Sequence, residues 1–216
     1  MPTLSGIRTA NTTLIRKGLE GAVFIAPYTA TNIAALTDAN GALVALPAGY
    51  VDAGWLEKGQ GAAWAVDSDA SDTASWGVAG PTRRDITSRV TGLSFTMQET
   101  KRASLEVYHG MSLAAVTPGA GGEVTFDEPN RPASTYYKVL VISKDGDGAD
   151  TIYLAKFLPR ASVTDVAEQS WNEDDEVRYG VTLTAYNDAT VGTAVRHFYG
   201  GPGWTALDDA HGFGGA

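Results

Sequence analysis

Residues 90–110, VTGLSFTMQETKRASLEVYHG, decide how the rest of the chain is read. Val90, Leu93, Phe95 and Met97 make a largely alternating apolar pattern, which predicts a strand with one buried face. Thr96-x-x-Glu99 then reads as a capping box, each side chain satisfying a backbone donor near the other. A helix is expected over about residues 97–109, with Gly110 placed to close it in a left-handed cap. At roughly 100° per residue, Thr100, Ala103, Ser104, Val107, Tyr108 and Met111 share one arc, opposite Arg102, Glu106 and His109. Glu99 with Arg102, and Arg102 with Glu106, stand at helical neighbour spacing, each pair worth about 0.2–0.5 kcal/mol. The stretch is a strand running into a short amphipathic helix that must lie on something apolar, and it carries no catalytic chemistry.

The chain has 216 residues, 44% hydrophobic and 9% aromatic, ordinary values for a globular protein with a sizeable core. Its 25 glycines, with scattered Thr, Val and Tyr, favour strands and turns over a helical bundle. No run approaches the roughly 20 apolar residues of a membrane span, and residues 1–18 lack the continuous apolar core of a signal peptide. With no cysteine there are no disulfides and no thiolate metal sites, which fits a reducing compartment. The net charge of −9 is uneven: residues 1–110 carry 9 basic and 10 acidic side chains, residues 111–216 carry 7 and 15. So acidic a chain is a poor tight binder of nucleic-acid phosphate, work that Lys and Arg perform. It can still face nucleic acid without holding it.

Along the chain, residues 1–18 read as a polar arm or edge strand. Residues 21–27, GAVFIAP, form a buried strand closed by Pro27. Residues 29–48 read as a long loop or loose hairpin, with Asp38-Ala-Asn-Gly41 as a turn. Residues 50–56 and 62–66 are expected to pair as a hairpin across Lys58-Gly-Gln-Gly61. Residues 67–80, DSDASDTASWGVAG, read as a long loop, functional or mobile at that length, and residues 81–85 lead from it into the central strand. After a Gly-rich spacer at 118–122 comes a short strand at 123–126. The clearest β signal is the pair of β-branched and aromatic runs at 134–143 and 151–158, joined across an Asp-Gly turn. A more polar strand or turn of helix follows at 161–171, then a charged bend at 172–176 and alternating strand at 177–186. A last short strand is expected at 195–199. The organisation is an arm (1–18), one domain (19–200) of about eight to ten strands with one main helix, and a flexible tail (201–216).

His109, His197 and His211 are scattered without partners at metal-ligand spacing. Asp145, Asp147 and Asp150 fail the EF-hand pattern, since Ala149 and Asp150 stand at its fifth and sixth positions. A solvated hairpin tip is the better reading, with a looser calcium site left open. No Gly-x-Ser-x-Gly elbow is present, and the Gly-rich stretches lack the Lys-Ser/Thr of a phosphate loop. A carboxylate pair for glycoside hydrolysis has no sequence signature to select it. The residues singled out as an assembly interface are Trp64, Trp76, Arg83, Arg84, Asp67, Asp69 and Asp72. Core or interface is favoured for the tryptophans over stacking on a sugar.

In order along the chain, several stretches resemble the major tail tube proteins of long, non-contractile-tailed bacteriophages of the kind seen in actinobacterial hosts. They are GAVFIAP at 21–27, YVDAGWLEKG at 50–59, RDIT at 84–87, SFTMQETKR at 94–102 with its helix to Gly110, YKVLVI at 137–142 and VTLTAY at 181–186. The resemblance implies a mainly β fold, a β-sandwich or barrel flanked by the one helix, with long loops. It implies rings, six copies each, stacked into a hollow tube whose channel is lined by a continuous β-barrel. The implied partners are other copies, a tape-measure protein, tail terminator and tail-tip proteins, and DNA in transient passage, with no membrane and no cofactor. The implied location is the virion tail, reached through assembly in the host cytoplasm. The arm and the loops at 29–48 and 67–81 would reach the next ring. A carbohydrate-binding β-sandwich of a phage or secreted protein is the alternative, and a hydrolase with an unrecognised carboxylate pair stays open beside it.

Overall fold

The computed structural model describes residues 3–131 and 133–213. Eight strands form one hydrogen-bonded sheet: β1 Glu20–Pro27, β2 Val51–Asp52, β3 Ala62–Ala74, β4 Pro81–Met97, β5 Tyr137–Asp145, β6 Ile152–Val166, β7 Tyr179–Ala185 and β8 Arg196–Gly200. The helices are short: α1 Leu4–Ile7, α2 Arg102–Tyr108, α3 Pro202–Thr205 and α4 Asp208–His211. The strand order is β2-β1-β5-β6-β7-β4-β3, with β8 beside β6, and every pairing is antiparallel.

The sheet folds over on itself at β6. The first part of that strand pairs with β5 and β8, the second with β7. Between them the register slips by one residue, from Val139↔Leu158 to Tyr137↔Ala161. Pro159 lies at this slip, where a residue with no N–H to donate is tolerated. The two halves enclose one core: Val23, Ile25, Val139, Val141 and Leu158 from the first meet Leu93, Phe95, Met97, Val181 and Leu183 from the second. A smaller core, Ile33, Leu36, Leu140, Ala155 and Phe157, lies on the far face of the first half.

The central strand forms as its alternation predicts at Leu93, Phe95 and Met97, which are fully buried, whereas Val90 falls on the opposite face and is 40% exposed. The capping box does not form. Thr96 stays in β4, where its hydroxyl donates to Gln60, and the helix starts later, after Lys101. Glu99 instead accepts from the Trp55 amide at 2.8 Å and pairs with Lys101 at 3.1 Å rather than with Arg102. Arg102–Glu106 does close, at 3.1 Å. The end of α2 is as expected: Gly110 sits at φ 63°, its amide donating to the Val107 carbonyl and that of Met111 to Glu106.

Several connections differ from the sequence expectation. Residues 50–56 supply only the two-residue β2, which pairs with β1, so they make no hairpin with residues 62–66. Residues 67–80 are not a loop: β3 continues to Ala74 and pairs with a β4 that begins at Pro81. Residues 123–126 form no strand, and residues 161–166 complete β6. Residues 3–18 hold α1 and a 3₁₀ turn, Thr12–Leu14, in place of an edge strand, and the part of that expectation covering residues 1–2 lies outside the described residues. Residues 29–48 remain a loop, pinned by Ile33 and Leu36. Where a flexible tail is expected from residue 201, α3 and α4 pack instead, Trp204 stacking on His211 at 3.9 Å and on Tyr199 at 5.2 Å. The part of that expectation covering residues 214–216 lies outside the described residues.

Candidate assembly interface

Four segments lie side by side in the second half of the sheet: residues 161–166 of β6, 179–185 of β7, 91–97 of β4 and 62–66 of β3. Together they contain no lysine or arginine and one carboxylate, Asp165. Their inward face is the core. Their outward face is made of small and hydroxyl side chains: Ser94 and Thr182 share a hydrogen bond of 2.9 Å, Thr164 and Thr184 one of 3.0 Å, and Ala63 and Ala65 complete the row.

Both margins of this four-stranded patch are open among the described residues. β3 pairs only with β4. Residues 162–166 of β6 pair only with β7, since contact with β5 ends at Ala161. An open strand edge presents a row of unpaired backbone donors and acceptors, a template for another strand.

Beyond the patch, β3 and β4 continue as a two-stranded ribbon from Asp67 and Val90 to the turn at residues 75–80. Eight β3 residues at 3.3 Å each extend it by about 25 Å. One extra residue in β4, Thr87, sets the faces. Asp67, Asp69, Asp85, Ser88 and Val90 continue the hydroxyl face. Val66, Ala70, Ile86, Arg84 and Arg89 continue the core face, though nothing in this copy covers them: Val66 is 49% and Ile86 69% exposed.

All seven residues singled out from the sequence fall on this hairpin. Trp64 stands at its base, half-buried, with the Lys156 ammonium 4.3 Å from its ring centroid. Burial lowers the pKa of Lys156, and burial together with Lys156 lowers that of His197 beside it. Trp76 is fully exposed at the tip. Arg83 pairs with Asp85 at 2.8 Å, Arg84 with Asp72 at 3.8 Å, and Ser88 donates to Asp69 at 2.8 Å. On the hydroxyl face, then, carboxylates outnumber Arg83, which Asp85 already neutralises.

A second cluster, which no sequence signal marked, sits where β6 kinks. Asp188 is 1% exposed and accepts from the Tyr28 hydroxyl at 2.8 Å and the amides of Thr190 and Val191 at 2.9 and 3.0 Å. Burial pushes its pKa up, but these bonds and the nearby Lys138 outweigh it and hold the carboxyl below its ordinary value. Lys138 is buried, donates to Asn32, and has its own pKa lowered by that burial. The Arg160 guanidinium lies 4.1 Å from the centroid of Tyr136 and 5.9 Å from that of Tyr28.

At the hairpin tip of β5 and β6, Asp145 faces Arg16 at 3.5 Å and Asp147 faces Lys144 at 2.7 Å. Among the described residues no three His, Asp or Glu side chains gather as metal ligands. None of the described helices is long and apolar enough to cross a membrane.

The family model for phage tail tube proteins matches residues 8–198. The chain belongs to the phage tail tube protein family. It is therefore a structural protein of the virion tail. Solved structures similar to this tail tube protein include the tube-terminating cap of the anti-feeding prophage, at 10% identity and TM-score 0.46 over 90% of this chain and 97% of that one. A chain of the native gene transfer agent virion is similar at 9% identity and TM-score 0.38, over 71% and 92%. An Hcp protein is similar at 12% identity and TM-score 0.31, over 83% and 98%. No curated protein sequence matches, so the identification rests on the family match.

Proposed function

We propose that this tail tube protein closes into rings by adding β3 of one copy to the open β6 edge of the next, and that the hydroxyl face lines the channel. The supporting observation is the patch itself: four antiparallel strands with a core face, a cation-free face and two open margins. Because β6, β7, β4 and β3 alternate in direction, β3 of one copy meets β6 of the next antiparallel, and the alternation runs unbroken around a ring. The ring holds six copies, as the family resemblance implies, and rings stack into the tube.

A wall of hydroxyls and methyls, with the ribbon carboxylates Asp67, Asp69 and Asp85 beyond it, gives a phosphate backbone no cation to hold. DNA slides past it. The core-continuous face of the ribbon, with Ile86 and Val66, packs on another copy. The arm, whose Leu4, Ile7 and Ile15 are all at least 66% exposed, reaches the neighbouring ring. The tape-measure, terminator and tail-tip proteins meet the tube at its lumen and ends.

The absence of cysteine makes a direct test available. Ala65→Cys is combined in turn with Ser162→Cys, Thr164→Cys and Asp165→Cys, and assembled protein is oxidised. One pairing yields a ladder of covalent multimers on a denaturing gel. If none of the three crosslinks tubes that are visible by electron microscopy, the edges do not meet and the reading is wrong.

A further inference from the structure

A single cross-strand row runs over the outward face of the sheet at the level where the ribbon begins. It starts at Arg160, whose carbonyl accepts from the Tyr186 amide at 2.8 Å. The pairing Thr91↔Ala185 sets Tyr186 beside Val90, and Val90 is paired with Asp67. Ala161 and Ala185 point into the core, so Arg160 and Tyr186 point the other way, as Val90 and Asp67 do.

The two ends of this row are electrically unfinished. Arg160 is held in place by Tyr136 and Tyr28, and Tyr136 in turn meets Tyr186 edge-on at 5.8 Å. Its Nε is buried without a hydrogen-bond partner, and no carboxylate of the described residues lies within ion-pair distance of it. The same cluster holds Lys138 as a second cation against Asp188 as its one carboxylate, an excess of one positive charge. At the far end, Asp67 is exposed, and its carboxylate makes no hydrogen bond or ion pair among the described residues. The other ribbon aspartates are committed, Asp69 to Ser88, Asp72 to Arg84 and Asp85 to Arg83.

We infer that Arg160 of one copy is paired by Asp67 of the next copy in the assembled ring. The inference rests on the edge-to-edge reading above, in which the added β3 runs along residues 162–166, because β5 holds the edge as far as Ala161. With Asp67 opposite Ser162, it stands on the same face as Arg160 and two residues from it, a diagonal that a long side chain spans. Tyr28 and Tyr186, 39% and 38% exposed, form the rim of the socket. Tyrosine and arginine are the side chains enriched where protein surfaces meet. The row thus keys the register of the added strand: a slip by one residue turns Asp67 to the other face.

The test is a double-mutant cycle on tube formation, read as the concentration at which purified full-length protein sediments as tubes, with negative-stain microscopy of the pellet. Arg160→Met keeps the aliphatic stem against the tyrosines, and Asp67→Asn alters a side chain exposed in the single copy. Each variant raises the required concentration about tenfold or more, and the double variant raises it no further than either alone. Thermal unfolding of unassembled protein reports whether Arg160→Met still folds, and Asp67→Asn stands on its own if it does not. Normal assembly of Asp67→Asn, or effects that add in the double variant, overturns the pairing. Failure of the unaltered protein to build any tube is a different result, and it overturns the function proposed above.

Discussion

Phe95 touches solvent nowhere, and its ring fills the space between the two halves of the sheet. Phe95→Ala is expected to cost about 3–5 kcal/mol, measured by urea unfolding of unassembled protein; a loss below about 1 kcal/mol would mean that the halves are not packed as described. Asp188→Ala leaves the Tyr28 hydroxyl and two amides without their acceptor, at a cost of about 3 kcal/mol in the same measurement. The Asp188 carboxyl is held below its ordinary value, so its stabilisation is complete above the unfolded pKa of about 3.9 and disappears as pH falls through the folded one. Glu176 follows the same sign: hydrogen bonds from Arg178 and then Gln98 hold it at about 2, down from 4.5. Its support is lost between those values, and titration by NMR should find its midpoint near the lower. Leu93, Phe95 and Met97 could be read from alternation alone, because each faces a core. Arg160, Lys138 and Asp188 could not, since they meet only through the fold and lie far apart in sequence.

At the scale of elements, α2 ends as its glycine predicts and begins where its sequence does not. Thr96 and Glu99 have capping-box spacing, but Thr96 belongs to a ladder with β7, and the strand outcompetes the cap. Gly110→Ala is a clean test of the ending: no neighbour lies within 4 Å of an added Cβ, so the cost is backbone strain alone, about 1–2 kcal/mol. The ribbon escaped the sequence reading for a physical reason. Alternation reveals a strand only where one face is buried, and in residues 67–74 both faces are exposed. Its apolar positions, Ala70 and Ile86, stand on opposite strands and show no pattern in either. Replacing residues 68–89 by a two-residue Asn-Gly turn should leave unassembled protein folded, with a melting temperature within a few degrees, and abolish tubes. A shortened protein that still builds normal tubes would show that the ribbon is dispensable.

For the whole molecule, net charge proves a coarse guide. The acid excess of the second half of the chain falls largely on loops such as residues 172–176 and on the C-terminal turns, while the four segments proposed to line the channel carry one carboxylate. What suits that wall to DNA is the absence of cations, with carboxylates following on the ribbon. The family and the β-rich fold were readable from the order of short stretches along the chain; the folded-over sheet was not, because the kink at Pro159 joins what the sequence presents as two separate strands. The most direct measurement is a side-chain-resolution electron-microscopy map of the native tail. It is expected to show β3 of each subunit hydrogen-bonded antiparallel to residues 162–166 of the next, with Ser94, Thr182 and Thr184 facing the lumen. A lumen walled by Lys and Arg side chains, or subunits that meet through loops with both edges capped within the copy, would contradict it.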